Sequence, residues 1–195
     1  MARRAEGCLR RKKVAKINKG RKGKKALTRK DNKVLKQQAT SFERYTKVLE
    51  QLGFPTKPQF VKLDYSNLCE RPKPQSTTWI GIAPFAKHES KRYPMDQMEQ
   101  VIKTLSEREN TTVFLFGGGK DENEQIEKLC VRYNNVQPAK SSQGLKGELA
   151  MMGQLDMMLS MDSANMHLAS LVGTRVVSVW GGTHPYAGFL GWSQK

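Results

Sequence analysis

The chain has 195 residues, 37% of them hydrophobic, enough to bury one core of ordinary size with an appendage to spare. No stretch approaches the ~20 consecutive apolar residues that cross a bilayer, and the basic N-terminus lacks the apolar core of a secretory signal, so the cytoplasm is the expected compartment. The cysteines, Cys8, Cys69 and Cys130, lie far apart with no CxxC pair, and His88, His167 and His184 do not cluster with them, which argues against a disulfide framework or a zinc site.

The net charge of +16 is unevenly placed. Residues 1–40 carry 16 of the 34 Lys and Arg against two acids, Glu6 and Asp31, so +14 lies there and +2 in the other 155 residues. The charge thus belongs to an arm, and the folded body is nearly neutral. Within the arm there is one short apolar patch, Val14–Ile17, followed by two glycines among five basic residues between Asn18 and Lys25, so low local order is expected.

Residues 41–54 place Phe42, Tyr45, Val48, Leu49 and Leu52 at helical spacing, with Gly53 as the stop. Pro55, Pro58, Pro72 and Pro74 make residues 55–76 a linker, with one extended segment at Gln59–Leu63. From residue 77 strands and helices alternate. The strands are expected at residues 78–83, 112–116, 135–138, 157–161 and 175–180, and the helices at 95–107, 121–133, 145–154 and 163–172. The strands are continuous apolar runs, so both sheet faces are covered. The expected fold class is α/β, a doubly wound parallel sheet of Rossmann-like type, with ligands at the carboxyl ends of its strands.

Four such strand ends carry polar or glycine-rich text. Pro84–Pro94 follows the first strand and offers Lys87, Lys91 and Arg92, although composition alone favours an ordinary solvated loop there. Gly117-Gly118-Gly119 follows the second strand; it lacks the GK[ST] ending of a Walker loop and reads equally as a tight turn with Asp121 as N-cap. After the fourth strand, Asp162-Ser163-Ala164-Asn165-Met166-His167 opens a helix with small residues, whose free N–H groups and positive dipole end suit a phosphate. Taken singly, Asp162 reads as an N-cap and His167 as a half-buried helix residue bonded to a carbonyl. The fifth strand ends in another glycine turn, Gly181-Gly182. Together the four loops make a site for a nucleotide diphosphate.

Those residues resemble the C-terminal domain of glycosyltransferase family 9, the ADP-heptose:lipopolysaccharide heptosyltransferases of the two-domain GT-B fold. The matching text is Lys91–Pro94, Phe116–Glu122 and Ser160–Ala169, the last similar to the family's Asp-[Thr/Ser]-Gly/Ala-x-x-His-Leu-Ala signature. Ile17–Arg29 is similar to the segment that leaves the family's N-terminal domain. The resemblance implies that Lys91 meets the pyrophosphate or sugar and Asp162 the sugar hydroxyls as the catalytic contacts. It implies that Ala86 and Lys87 line the same loop, that Glu122 holds the ribose, and that Ser163, Ala164, Asn165 and His167 surround the phosphates. No metal or other cofactor is expected beyond the ADP-sugar itself, because lysine and helix N–H groups can stabilise the departing diphosphate.

The same resemblance divides the chain into 1–40, a basic arm or remnant of the exit from the N-terminal domain; 41–76, helix and linker; and 77–195, the nucleotide-sugar domain. The family's general base, an Asp of the N-terminal domain, has no counterpart, the closing helices usual for GT-B enzymes are absent, and Ala164 stands where many members have Gly. The expectation is a fragment that binds donor without turnover, with residues 1–13 disordered. The implied partners are a nucleotide-sugar donor, a lipid-linked saccharide acceptor and, peripherally, the anionic inner face of the cytoplasmic membrane. The alternatives are another GT-B nucleotide-sugar enzyme such as an epimerase, and a nucleic-acid binder acting through its arm. Against the latter, residues 1–40 contain no aromatic side chain for base stacking, so no nucleic acid is expected.

Overall fold

The computed structural model describes residues 13–194. Its parallel strands β1 (Thr78–Ala83), β2 (Thr111–Leu115), β3 (Val136–Pro138), β4 (Met157–Met161) and β5 (Val176–Val179) form one sheet in the order β3-β2-β1-β4-β5. β1 is central, with Ile80 paired to Val113 of β2 on one side and to Met157 of β4 on the other.

Alternate residues of each strand point to opposite faces, and here both faces are apolar. On one face Trp79, Phe114 and Met158 pack with Leu149 and Met152 of α5 (Gly144–Met152) and Ala169 of α6 (Ala164–Leu171). On the other Ile80, Ile82, Val113 and Leu115 pack with Met98 and Ile102 of α3 (Met95–Ser106) and Ile126 and Leu129 of α4 (Lys120–Arg132). The sheet is therefore doubly wound, as its continuous apolar strands foretell.

Element ends differ from expectation by a residue or two, for local reasons. Asp121 does not cap α4; Gly119 does, at φ 88°, a conformation that favours glycine, and Asp121 falls in the first turn. Pro94 takes the N-cap position of α3. α2 (Ser41–Leu52) stops where expected, with Gly53 closing it in the left-handed conformation, and its N-terminus carries a capping box of Thr40 and Glu43.

Two regions are more ordered than their composition suggests. Residues 59–63 form no strand, because Leu63 alone finds a backbone partner, the carbonyl of Leu171 at 2.9 Å. The later part of the linker is tied to the sheet domain, however: Lys73 pairs with Asp156, whose Oδ2 also accepts the Trp79 N–H, and Tyr65 packs on the core. The arm, expected to lack local order, contains helix α1 (Arg21–Leu27), and Leu27 is fully buried. The buried Arg44 guanidinium secures it by donating to the carbonyls of Asn18 (2.6 Å) and Ala39 (2.9 Å). Residues 1–12, with Cys8, lie outside the described residues.

Candidate functional site

The chain leaves β1 toward β2 and β3 on one side, whereas β4 and β5 lie on the other. At such a switch point the loops from neighbouring strand ends diverge and leave a crevice. The turn Glu89–Lys91 carries Lys91 from the end of β1, and Asp162 follows β4 directly. They meet there: Lys91 Nζ is 2.7 Å from Asp162 Oδ2, and the Asp162 side chain is 6% exposed.

The loop after β5 completes the arrangement. Thr183 Oγ1 donates to the same Asp162 Oδ2 at 2.8 Å, and the Gly182 N–H donates to the Ser90 carbonyl. Gly181 lies so close to that carbonyl that a Cβ would collide with it. Glycine is needed for this backbone approach, which clamps the turn carrying Lys91. Asp162 is thus an ion-pair partner and not the N-cap of α6. That cap is Ser163, in extended conformation and without a side-chain capping bond, so the first-turn N–H groups receive no side-chain acceptor from their own cap.

His167 lies one turn into α6 and is half-buried. Burial pushes its pKa below the ordinary 6.5; the Asp162 carboxylate pulls it up and the Lys91 ammonium pushes it down again. No bond from its ring to a carbonyl is present among the described residues. Asn165 is half-buried and Ala164 exposed on the same first turn. Ala86 buries its side chain in the core and offers the loop only its carbonyl, which accepts from Arg92 Nε at 2.7 Å. Lys87 is exposed beside it. Glu122 Oε2 accepts the Gly118 N–H at 2.8 Å, spanning the glycine turn after β2. Neither Lys87 nor Glu122 is bonded to the Lys91–Asp162 pair.

Sequence reasoning missed three contributors. The Thr183 hydroxyl stood beside a flagged glycine turn and could have been named as a strand-end donor. Lys24 and Phe189 carried no such signal. Lys24 Nζ lies 3.9 Å from the Phe189 ring centre and Lys91 Nζ 5.9 Å from the same centre. Burial, then repulsion by Arg44, lowers the Lys24 pKa, and the Asp162 carboxylate opposes that shift. Among the described residues no group of three or more His, Cys, Asp or Glu could hold a metal ion, and no helix is long and apolar enough to cross a membrane.

A doubly wound parallel sheet with a lysine–aspartate pair in its switch-point crevice, beside a helix N-terminus, defines a Rossmann-like class of α/β domain. Solved structures share this fold. The E. coli heptosyltransferase WaaC, solved with ADP, superposes with a TM-score of 0.62 at 20% identity, over 83% of this chain and 50% of that one. A glycosyltransferase family 9 protein from Veillonella parvula gives 0.65 at 19% identity, over 81% and 48%. E. coli ADP-heptose lipopolysaccharide heptosyltransferase II gives 0.61 at 19%, over 80% and 53%. The sheet is that of a Rossmann-like half of the GT-B fold, and the chain spans about half the length of these relatives. No curated protein matches it by sequence. The profile of glycosyltransferase family 9 (heptosyltransferase) matches residues 8–193, and the chain belongs to that family.

Proposed function

We propose that the crevice binds an ADP-sugar, ADP-heptose in the first instance, and that the chain supplies the donor-holding, C-terminal half of an inverting transferase acting on a lipopolysaccharide core acceptor. The observation that carries this reading is the Lys91–Asp162 pair at the switch point, beside the first turn of α6. In such a reaction the bond between the anomeric carbon and the phosphate oxygen breaks. Negative charge collects on the departing diphosphate as positive charge develops on the sugar. Lys91 and the N–H groups of Ser163, Ala164 and Asn165 are suited to the first charge. Asp162 is suited to the sugar: both of its bonds fall on Oδ2, and Oδ1 has no bonded partner among the described residues.

His167, with its lowered pKa, would stand beside the phosphates as a neutral hydrogen-bonding ring. Ala86 and Lys87 would line the approach and Glu122 would hold the ribose. No divalent metal is needed for this chemistry, since ammonium and N–H groups supply the stabilisation. The general base would come from an N-terminal GT-B domain, residues 77–195 would hold the donor, and the arm and linker would join the two. A heptosyltransferase-type acceptor is a lipid-linked saccharide, and the basic residues of 1–40 would favour an anionic leaflet by ~1 kcal/mol each near the surface.

The test is isothermal titration with ADP, GDP, UDP and a short RNA at two salt concentrations. ADP is expected to bind preferentially and to tolerate both salt and chelator. Lys91→Ala and Asp162→Ala are each expected to weaken ADP-sugar binding by about tenfold, a charged hydrogen bond being worth roughly 1.5–3 kcal/mol, while the unfolding transition stays cooperative. Unchanged titrations for both variants would overturn the assignment. Tight, salt-sensitive RNA binding without nucleotide preference would favour the arm as the functional element.

A further inference from the structure

The arm helix α1 reaches the rim of the crevice, and the chain holds it there at several points. Arg44 bonds the Asn18 carbonyl that precedes it, and Leu27 buries its last turn. Residues 38–41 in turn grip the segment after β5: the Gln38 N–H donates to the Tyr186 carbonyl at 2.8 Å and the Ser41 N–H to the Gly188 carbonyl at 3.0 Å. The next residue, Phe189, is thereby presented to two lysines from unrelated parts of the sequence, Lys24 at 3.9 Å and Lys91 at 5.9 Å.

Lys24 is a cation without a counter-ion. Among the described residues no carboxylate makes an ion pair with it. Asp162, the carboxylate whose charge it feels, is already engaged by Lys91 and Thr183. The Phe189 ring attracts the Lys24 ammonium only weakly, while its partial burial and the nearby Arg44 both disfavour its charge, so an arriving anion would find a cation with no carboxylate of its own. Resting on the donor reading above, we propose that Lys24 is a second phosphate-contacting lysine, meeting the terminal phosphate of the nucleotide diphosphate beside Phe189 together with Lys91. Lys24 and Lys91 would then share the charge released on the leaving group.

The experiment compares ADP with AMP, which lacks the terminal phosphate, on the whole chain and on Lys24→Met, Lys24→Arg and Lys91→Met, with thermal unfolding of each as a control for folding. Lys24→Met is expected to weaken ADP about tenfold, leave AMP within about twofold, and be largely restored by Lys24→Arg. In the unmutated chain labelled at lysine Cε, the Lys24 signal is expected to move with ADP and not with AMP, so a variant that fails to fold does not remove the test. Unchanged ADP affinity in Lys24→Met, or an unmoved Lys24 signal, while Lys91→Met still loses ADP, overturns the Lys24 assignment and leaves the donor site standing. An unmutated chain that does not bind ADP overturns both.

Discussion

His167 sits between opposing influences, and the balance has a measurable sign. Burial and Lys91 lower its folded pKa below 6.5, against the pull of Asp162. The unfolded chain therefore takes up the proton first. Stability from this residue is complete above about pH 6.5 and is lost as the pH falls through the folded value. Urea titrations between pH 7.5 and pH 5 are expected to show stability declining on the acid side, with a shallower decline in His167→Gln. Identical slopes in the two proteins would show that the ring does not govern that range. At this scale the sequence was informative about which residues follow strand ends: Lys91 and Asp162 were placed at the same edge of an α/β sheet, and the structure brings them together there. Lys24 was not, since it is one of 16 basic residues in the first 40 and only the docking of α1 separates it from the others.

The loop after β5 makes no regular structure until its short turn at Pro185–Ala187, yet it fixes the turn that carries Lys91. Two glycines that look alike in the sequence should respond differently to a methyl group. Gly181→Ala drives a Cβ into the Ser90 carbonyl, backbone that cannot swing aside. It is expected to cost about 1–3 kcal/mol and to weaken ADP binding by displacing Lys91. Gly118→Ala meets nothing within 4 Å and should leave the unfolding midpoint nearly unchanged. Equal midpoints for the two variants would refute the clamp. Sequence periodicity located every strand and helix of the sheet domain because each needs one buried face. The ends slipped by a residue or two because caps depend on backbone angles, as at Gly119, whose positive φ places the cap two residues before the carboxylate of Asp121.

Across the whole molecule, the layered α/β body could be read from the sequence and the seating of its basic arm could not. Apolar runs with short helical patterns between them admit few packings other than a parallel sheet covered on both faces. The arm offers no such pattern: α1 is seven residues long and is held by the buried guanidinium of Arg44, Leu27 and the turn at Pro185–Ala187. Charge counting alone pointed to a solvated tail, because it registers charge and not where a helix packs.

The pairing of β1 with β4 has a consequence in time as well as in space. Ile80 finds Met157 only after α3, β2, α4, β3 and α5 have been threaded between them. Long-range parallel pairing of this kind slows refolding, because the chain entropy of closing so large a loop is lost before any contact rewards it. Lys91 and Asp162 follow the two paired strands that are furthest apart in sequence, so the crevice between them is complete only once β1 and β4 have paired. In refolding experiments, recovery of ADP binding is expected to rise in the same kinetic phase as amide protection across β1 and β4. A species that binds ADP before those amides are protected would show that the two can be separated.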